Sequence, residues 1–475
     1  MTLDAIASRA LTHCTSRYQA MLKLVEALVS TPSHTKDLAG VALCFDVLDA
    51  GLRALGFESA RPEAPEGRPH LLATRPGAVP KAPTVLLLGH VDTIYDTSYP
   101  GGAFGVHGSR AQGPGIADMK AGLVMMVTAL EALLTVERLD DFRIRVLVTS
   151  DHEHGAEGSR ALIRRIASEA EIALVFGPAD AEGGLLHSRS GTGRFRISMR
   201  GTSVAAESRS PEGRNAIVEM AHLIPQLESL NDSQRGIIVN CGVVRGGVRS
   251  GVVPAETHLD LEVWCDGPTD QRWIKHQLNE LVGRASRGAL MVSLTGDFSR
   301  PPWPPSARTQ GLVEAWGHAA EMLGFEPLVG KHATASSDAN ITHDLRVPTL
   351  DGLGVRGGDL RTAEEWAAIQ EMPSRAAITA IGLLAWLEDR GGNATWRVGG
   401  IIQGETPEDG TVEVSEDEDA VVGDGPEIQL DDAGAGIELS SDAMEGGDDI
   451  FNAPGGLEVS EVDDMAGPDT PDDET

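Results

Sequence analysis

The chain has 475 residues and a formal net charge of −32, from 71 acidic and 39 basic side chains. The charge is uneven, because residues 401–475 hold 25 of the acidic side chains and none of the basic ones, which leaves −7 for residues 1–400. Nucleic acids and anionic membranes are bound through basic surfaces, so the composition argues against both as partners. Residues 1–400 are enough for two or three domains with hydrophobic cores.

The four cysteines are spread along the chain without a CxxC pair. This usage is typical of a reducing compartment rather than of a disulfide framework or a thiolate metal site. Residues 1–14 lack the continuous apolar segment of a signal peptide, and the longest apolar stretch, 121–130, is too short to span a bilayer. We therefore expect a cytoplasmic protein that is not embedded in a membrane.

Residues 1–190 predict helices that alternate with buried strands. The spacing of the apolar residues indicates, in turn, helices at about 20–29, 39–55 and 118–136 and strands at 85–88, 144–149 and 172–176. Continuous apolar strands between helices are typical of the α/β class, in which a mostly parallel sheet is covered on both faces.

The pattern changes between 191 and 300, where apolar and polar residues alternate around Phe195, Leu261 and Val292. Alternation is typical of half-exposed strands, and it predicts a small α+β insertion with an antiparallel sheet. After Gly392 the composition is too polar to form a core. We therefore predict four segments: an α/β domain in two parts at 1–190 and 301–392, an inserted domain at 191–300, and a disordered acidic tail at 393–475.

Polar side chains follow two of the predicted strands. His90 and Asp92 come directly after the first strand, and Glu153 stands between His152 and His154 after the second. An imidazole with a carboxylate behind it is a common arrangement at metal sites, and a glutamate is a further potential ligand. The alternative is that these residues cap a strand end or belong to an ordinary polar loop.

Asp118 follows the glycine-rich turn at 113–115 and begins a predicted helix. One interpretation is a carboxylate that bridges two cations. The other is a helix N-cap, whose carboxylate accepts hydrogen bonds from the free backbone amides of the first turn. This residue alone leaves both interpretations open.

In their order and spacing these motifs resemble the zinc metallopeptidase family that includes acetylornithine deacetylase, succinyl-diaminopimelate desuccinylase, aminoacylase and carboxypeptidase G. The resemblance covers about residues 15–390 and rests on segments at 90–93, 113–122, 158–160, 336–340, 347–354 and 363–366. It implies a zinc-exopeptidase-type α/β catalytic domain, interrupted at 191–300 by a lid, or dimerisation, domain through which two copies form a homodimer.

The resemblance also implies a reaction and residue roles. Two zinc ions share a water molecule and a bridging aspartate, and a glutamate is the base in hydrolysis of amide bonds in N-acyl amino acids or short peptides. By position, His90, Asp118 and Glu153 match metal ligands, and Asp92 matches the residue that orients the histidine. His152 occupies the position of the catalytic base.

Three positions in this site depart from the family pattern. His152 replaces the glutamate base, Gly177 replaces a carboxylate ligand of the first zinc, and Arg361 replaces a histidine ligand of the second. The resemblance implies one or two zinc ions. With these replacements, each ion would keep two protein ligands instead of three. A guanidinium cannot ligate a metal, so we expect Arg361 to pair with Asp118 and Glu153 in place of a cation.

Further departures lie in the lid, where Ala205, Gly251 and Trp264 replace a histidine, an asparagine and the arginine that binds the substrate carboxylate. Two interpretations follow. In one, the chain is a metal-dependent hydrolase with a rebuilt or weakened site, in which His152 or His154 serves as base or replacement ligand. In the other, it is a catalytically inactive pseudo-hydrolase that binds a partner.

The acidic tail contains four apolar-x-apolar units that are followed by serine or an acid, at 412–415, 428–431, 437–440 and 457–460. One interpretation is a set of short motifs that add a strand to the sheet of a protein partner, with the acids facing a basic rim. Repetition would allow multivalent binding, as in an adaptor protein. The alternative is a tail that only solvates the protein.

Overall fold

The computed structural model describes residues 2–391 apart from 65–66, 97, 99–100, 211 and 287–289, so the predicted acidic tail lies outside the described residues. The helices of the described part are α1 Leu3–Ser16, α2 Tyr18–Ser30, α3 Leu38–Ala54, α4 Ala121–Thr135, α5 Arg160–Ala167, α6 Ala216–Glu228, α7 Pro268–Ala285, α8 Ala307–Met322, α9 Ala339–Asp344 and α10 Met372–Arg390. Its strands are β1 Glu58–Ala60, β2 Leu71–Arg75, β3 Thr84–His90, β4 Gly105–His107, β5 Arg110–Gln112, β6 Arg143–Thr149, β7 Ile172–Val175, β8 Leu185–Arg189, β9 Gly191–Arg200, β10 Val204–Ala205, β11 Ile238–Gly246, β12 Val252–Val253, β13 Glu256–Cys265, β14 Met291–Arg300, β15 Gly330–Ala333, β16 Thr349–Leu350, β17 Gly357–Gly358 and β18 Trp366–Ala367.

The central sheet is mixed and mostly parallel. Its strand order is β1-β2-β6-β3-β7-β16. The neighbours β6, β3, β7 and β16 run parallel, whereas β1 and β2 are antiparallel additions at one edge. The α/β class and the three buried strands predicted from the apolar runs are therefore confirmed.

Residues 85–88 of strand β3 are all apolar because helices cover both faces of the sheet. Val85 and Leu87 belong to a core that includes residues of α4 and α10. Leu86 and Leu88 belong to a second core with residues of α5 and α9. The middle of a strand that is buried on both faces has apolar neighbours on each side, which explains the continuous apolar run at 85–88.

Residues 191–300 contain a separate antiparallel sheet in the order β11-β13-β9-β14. Helices α6 and α7 cover it and share a hydrophobic core with it. On its other face, arginines of β9 form cross-strand ion pairs with acids of β13: Arg194 with Glu262, Arg196 with Asp260, and Arg200 with Glu256. The predicted antiparallel sheet is present, while the domain boundaries and the homodimer that the resemblance implies stay predictions.

The most apolar helix, α4, begins later than predicted. Residues 116–120 form a separate turn with non-helical backbone angles at Asp118 and Met119, and the helix proper starts at Ala121. Nearly all side chains of α4 are buried, which accounts for its apolar composition. Within the described part of the chain, none of the helices is long and apolar enough to cross a membrane.

All four cysteines are free thiols. Three of them are buried, and Cys241 is half-buried. Burial raises the pKa of Cys14 and of Cys265 to about 12, so both thiols stay protonated at neutral pH. These cysteines therefore pack as small apolar side chains.

The close packing of α10 on α8 gives a test of the fold. A Cβ atom on Gly382 would lie 2.5 Å from the indole of Trp316, which is fully buried. We expect Gly382→Ala to lower the free energy of unfolding by about 1–3 kcal/mol through overpacking. Gly283 in α7 has open space at its Cβ position, so Gly283→Ala should instead raise it by about 0.5–1 kcal/mol. Urea unfolding measures the free energy of unfolding of both variants. An equal change in the two variants would contradict the described packing.

Candidate active site

The candidate site lies where parallel strands end. In the register of β3 and β6, His90 is the partner of Thr149, so the residues that follow these strands meet at one edge of the sheet. Potential ligand atoms of His90, Asp118 and Glu153 lie within 4.8 Å of one another. The structure thus brings together the three residues that the sequence selected as metal ligands.

His90 is buried between two carboxylates. Its Nε2 lies 3.3 Å from Oδ1 of Asp118, and its Nδ1 lies 3.0 Å from the backbone oxygen of Asp92 and 3.4 Å from that residue's Oδ1. Burial lowers the pKa of His90, but the hydrogen bonds to Asp118 and Asp92 and their charges outweigh it and hold the pKa well above its ordinary value. Both ring nitrogens of His90 thus face an oxygen acceptor, Nε2 that of Asp118 and Nδ1 that of Asp92.

Asp92 positions more than the histidine. Its carboxylate accepts hydrogen bonds from the hydroxyl of Thr35 at 2.8 Å and from the backbone amides of His152 and Glu153, both at 3.1 Å. It therefore fixes the turn after β6 relative to the turn after β3. Asp92 lies behind His90, where the sequence placed it. Its hydrogen bonds to the turn after β6 are an additional contact that the sequence did not indicate.

Arg361 occupies the space between the two acidic ligands. Its Nη2 lies 3.2 Å from Oδ2 of Asp118, and its Nε lies 3.0 Å from Oε2 of Glu153. The charge of Asp118 raises the pKa of Arg361 above its ordinary value, which keeps the guanidinium charged. The ion pairs expected from the sequence are confirmed. Arg361 also has a φ of 64°, a left-handed conformation that is uncommon outside glycine and occurs often at functional sites.

The N-cap interpretation of Asp118 is wrong. Glu365 accepts from the amides of Gly115 at 3.2 Å, Ala117 at 2.9 Å and Asp118 at 3.2 Å, and from the hydroxyl of Tyr95 at 2.6 Å. The Asp118 carboxylate is thereby free to contact His90 and Arg361. Glu365 lies in one of the segments that carry the family resemblance, but no local pattern indicated its role.

His152 is held by residues that the sequence did not single out for this role. Its ring stacks on His90, with 4.1 Å between centroids and 4° between planes. Its Nδ1 lies 3.1 Å from Oδ2 of Asp338. Nη2 of Arg300 donates to Asp338 at 2.8 Å and to the His152 carbonyl at 3.2 Å, and it also lies 3.2 Å from Nδ1. The two hydrogens of Nη2 are used by Asp338 and the His152 carbonyl, so Arg300 has none left to donate to Nδ1. Because the Asp338 carboxylate can only accept, we assign the hydrogen between it and His152 to Nδ1.

This network decides which imidazole can take part in chemistry. With Nδ1 donating to Asp338, Nε2 of a neutral His152 is an acceptor beside a cavity of about 200 Å³ that His90 and Asp118 also line. Burial raises the pKa of Asp338, but its contacts with His152 and Arg300 outweigh burial and hold the pKa well below its ordinary value. His154, in contrast, is exposed and does not join the ligand group found among the described residues.

The carboxylate missing at Gly177 has no room to return. A Cβ atom there would lie 2.9 Å from Oδ1 of Asp351, which is fully buried. Asp351 is fixed by Nε of Arg189 at 2.8 Å and by the hydroxyl of Ser337 at 2.7 Å. Asp351 thus fills the space beside Gly177.

These residues do not fit the dinuclear zinc centre that the resemblance implies. Two catalytic zinc ions with one shared carboxylate need about five protein ligands. Among the described residues, one group of three potential ligands is present, and two of the three already pair with Arg361. The missing ligand position at Gly177 is crowded by Asp351.

Comparison with known proteins places the chain in a family. Carboxypeptidase G2 of Pseudomonas sp. strain RS-16 is 27% identical over 378 residues, which cover 77% of this chain and 89% of that protein. Succinyl-diaminopimelate desuccinylase of Delftia acidovorans is 29% identical over 196 residues, 38% of this chain and half of that protein.

Solved structures share the fold at low identity. Aminopeptidase PepT of Bacillus cereus superposes with a TM-score of 0.65 at 21% identity over 78% of this chain and 99% of its own. A Bacillus subtilis protein described as a dinuclear metal-binding peptidase has a TM-score of 0.59 at 14% identity, over 79% of this chain and 99% of its own. Residues 86–383, more than half of the sequence, match the profile of a peptidase family. The chain therefore belongs to peptidase family M20/M25/M40.

Proposed function

We propose that this chain is an M20-family hydrolase scaffold in which Arg361 replaces the catalytic metal, so that hydrolysis of N-acyl amino acids or short peptides is weak or lost. The observation that carries the proposal is the double ion pair of Arg361 with Asp118 and Glu153. The relatives named for carboxypeptidase and desuccinylase activity support the substrate class.

The loss of the metal removes the main source of rate. A catalytic metal lowers the pKa of bound water to about 7 and polarises the scissile carbonyl, and a fixed guanidinium supplies no activated water. Replacement of a positioned glutamate base typically costs about 10²–10⁴ in rate. Residual hydrolysis would depend on His152 as base, since Asp338 leaves its Nε2 as an acceptor, and on Asp92, which holds that turn in place.

Metal content tests the proposal directly. Wild-type protein that is incubated with zinc and then dialysed should retain substoichiometric zinc in elemental analysis. Arg361→His should gain about one zinc per chain, because an imidazole with Asp118 and Glu153 makes three protein ligands. The matched control is Arg390→His, which removes an exposed arginine paired with Glu171 and should bind no more zinc than wild type. Two tightly held zinc ions in the wild type would refute the proposal.

The crowding at Gly177 gives a second prediction. Gly177→Asp should lower the free energy of unfolding by about 1–3 kcal/mol, because it forces a carboxylate against Asp351. Gly251→Asp adds the same charge where the nearest atom to the new Cβ is an arginine nitrogen 3.8 Å away, and it should cost far less. In the Arg361→His background, Gly177→Asp should add no second zinc. Urea unfolding and elemental analysis measure the two effects, and a stable variant with two zinc ions would contradict the assignment of Asp351.

A second candidate function rests on the acidic tail, which lies outside the described residues. Residues 401–475 hold 25 acids and no basic residue, and with their four apolar-x-apolar units they favour binding of a protein partner with a basic rim beside a sheet edge. Deletion of 401–475 should remove specific partners in a quantitative pull-down. A tail of identical composition with scrambled order is the control, and equal capture by both tails would leave only a solvating role.

A further inference from the structure

A second cavity lies outside the candidate active site. It has a volume of about 650 Å³ and lies between the end of α2, the turn at 31–37, the described residues at 93–96 and 102–104, and the turn that contains Pro114. Its lining shares no described residue with the cavity at the candidate site. This volume is in the range of sites for small organic ligands.

Lys120 supplies a buried positive charge to this cavity. It lines the cavity and is 1% exposed, and its Nζ donates to the backbone oxygen of Thr31 at 3.2 Å. Among the described residues no carboxylate forms an ion pair with it. A buried ammonium with one carbonyl partner is unfavourable unless an anion or water completes its contacts.

The cavity walls combine apolar surface with hydrogen-bonding groups. Val29, Pro32 and Phe104 contribute apolar surface, whereas Ser33 and Thr93 contribute hydroxyls. This combination suits a ligand with an apolar body and one polar end.

Two acids also line the cavity, but both carboxylates already accept hydrogen bonds at their own turns. Asp37 accepts from the amide of Gly40, at the start of α3, at 3.0 Å, and Asp96 accepts from the amide of Ser98 at 2.7 Å. Lys36 and His34 add further basic groups to the lining. The formal charges of the two lysines and two aspartates in the lining cancel. The preference for an anionic ligand therefore rests on Lys120, with which no described carboxylate forms an ion pair.

We propose that this cavity is a binding site for a small organic carboxylate. The anionic group pairs with the ammonium of Lys120, and an aromatic or aliphatic body packs against Pro32 and Phe104. The site is distinct from the metal-replaced centre and does not depend on whether the chain hydrolyses amides.

Isothermal titration of the full chain with phenylacetate tests the proposal. Phenylacetate should bind, and the uncharged isostere phenylacetamide should bind at least about tenfold more weakly, because it cannot form the ion pair. Lys120→Met, which keeps the length of the side chain, should weaken phenylacetate binding by about tenfold or more. Lys275→Met, which removes a lysine paired with Asp297 on the inserted sheet, should leave binding unchanged.

A steric variant keeps the test decisive if Lys120→Met does not fold. Ala103 is exposed and lines the cavity, so Ala103→Trp should fill it without disturbing the buried lysine and should abolish phenylacetate binding. Circular dichroism checks the fold of each variant. Three results would overturn the proposal. They are equal binding of phenylacetate and phenylacetamide, wild-type affinity in folded Lys120→Met or in Ala103→Trp, and no binding of phenylacetate by the wild type.

Discussion

The arrangement of the site depends on one interaction, the bridging of Asp118 and Glu153 by the guanidinium of Arg361. Two carboxylates this close in a poorly hydrated site repel each other unless a cation lies between them. In a metal-dependent relative the cation is an ion that can be removed. Here it is a side chain, so its charge is permanent and its position is set by the fold.

The bridging arginine is supported by carboxylates that serve only to position other groups. Asp92 binds the amides of the turn after β6, Glu365 binds those of the turn that carries Asp118, and Asp338 binds the ring of His152. Each is buried and accepts several hydrogen bonds or a charge. These carboxylates thus form a hydrogen-bonded framework around the candidate site.

One turn contributes a residue to each of the two cavities, Asp118 to the first and Lys120 to the second. Lys120, in the second cavity, follows Asp118 by two residues, and Tyr95, which lines the same cavity, donates to the Glu365 carboxylate that binds the Asp118 amide. A ligand held by Lys120 would therefore contact the same segments that position the active-site carboxylates. These segments are fixed by hydrogen bonds rather than by packing alone.

The sequence by itself determined the family, the α/β class and the buried strands, because a strand covered on both faces must be apolar at every position. It also predicted the pairing of Arg361, since a permanent cation among acids has few alternatives. Only the tertiary structure decided that Glu365 binds the amides of the turn that carries Asp118, that Asp338 sets the tautomer of His152, and that Asp351 fills the space at Gly177. The physical reason is that each of these contacts joins residues about 170 or more positions apart in the chain, and such contacts depend on how the elements pack and leave no periodic signal in the sequence.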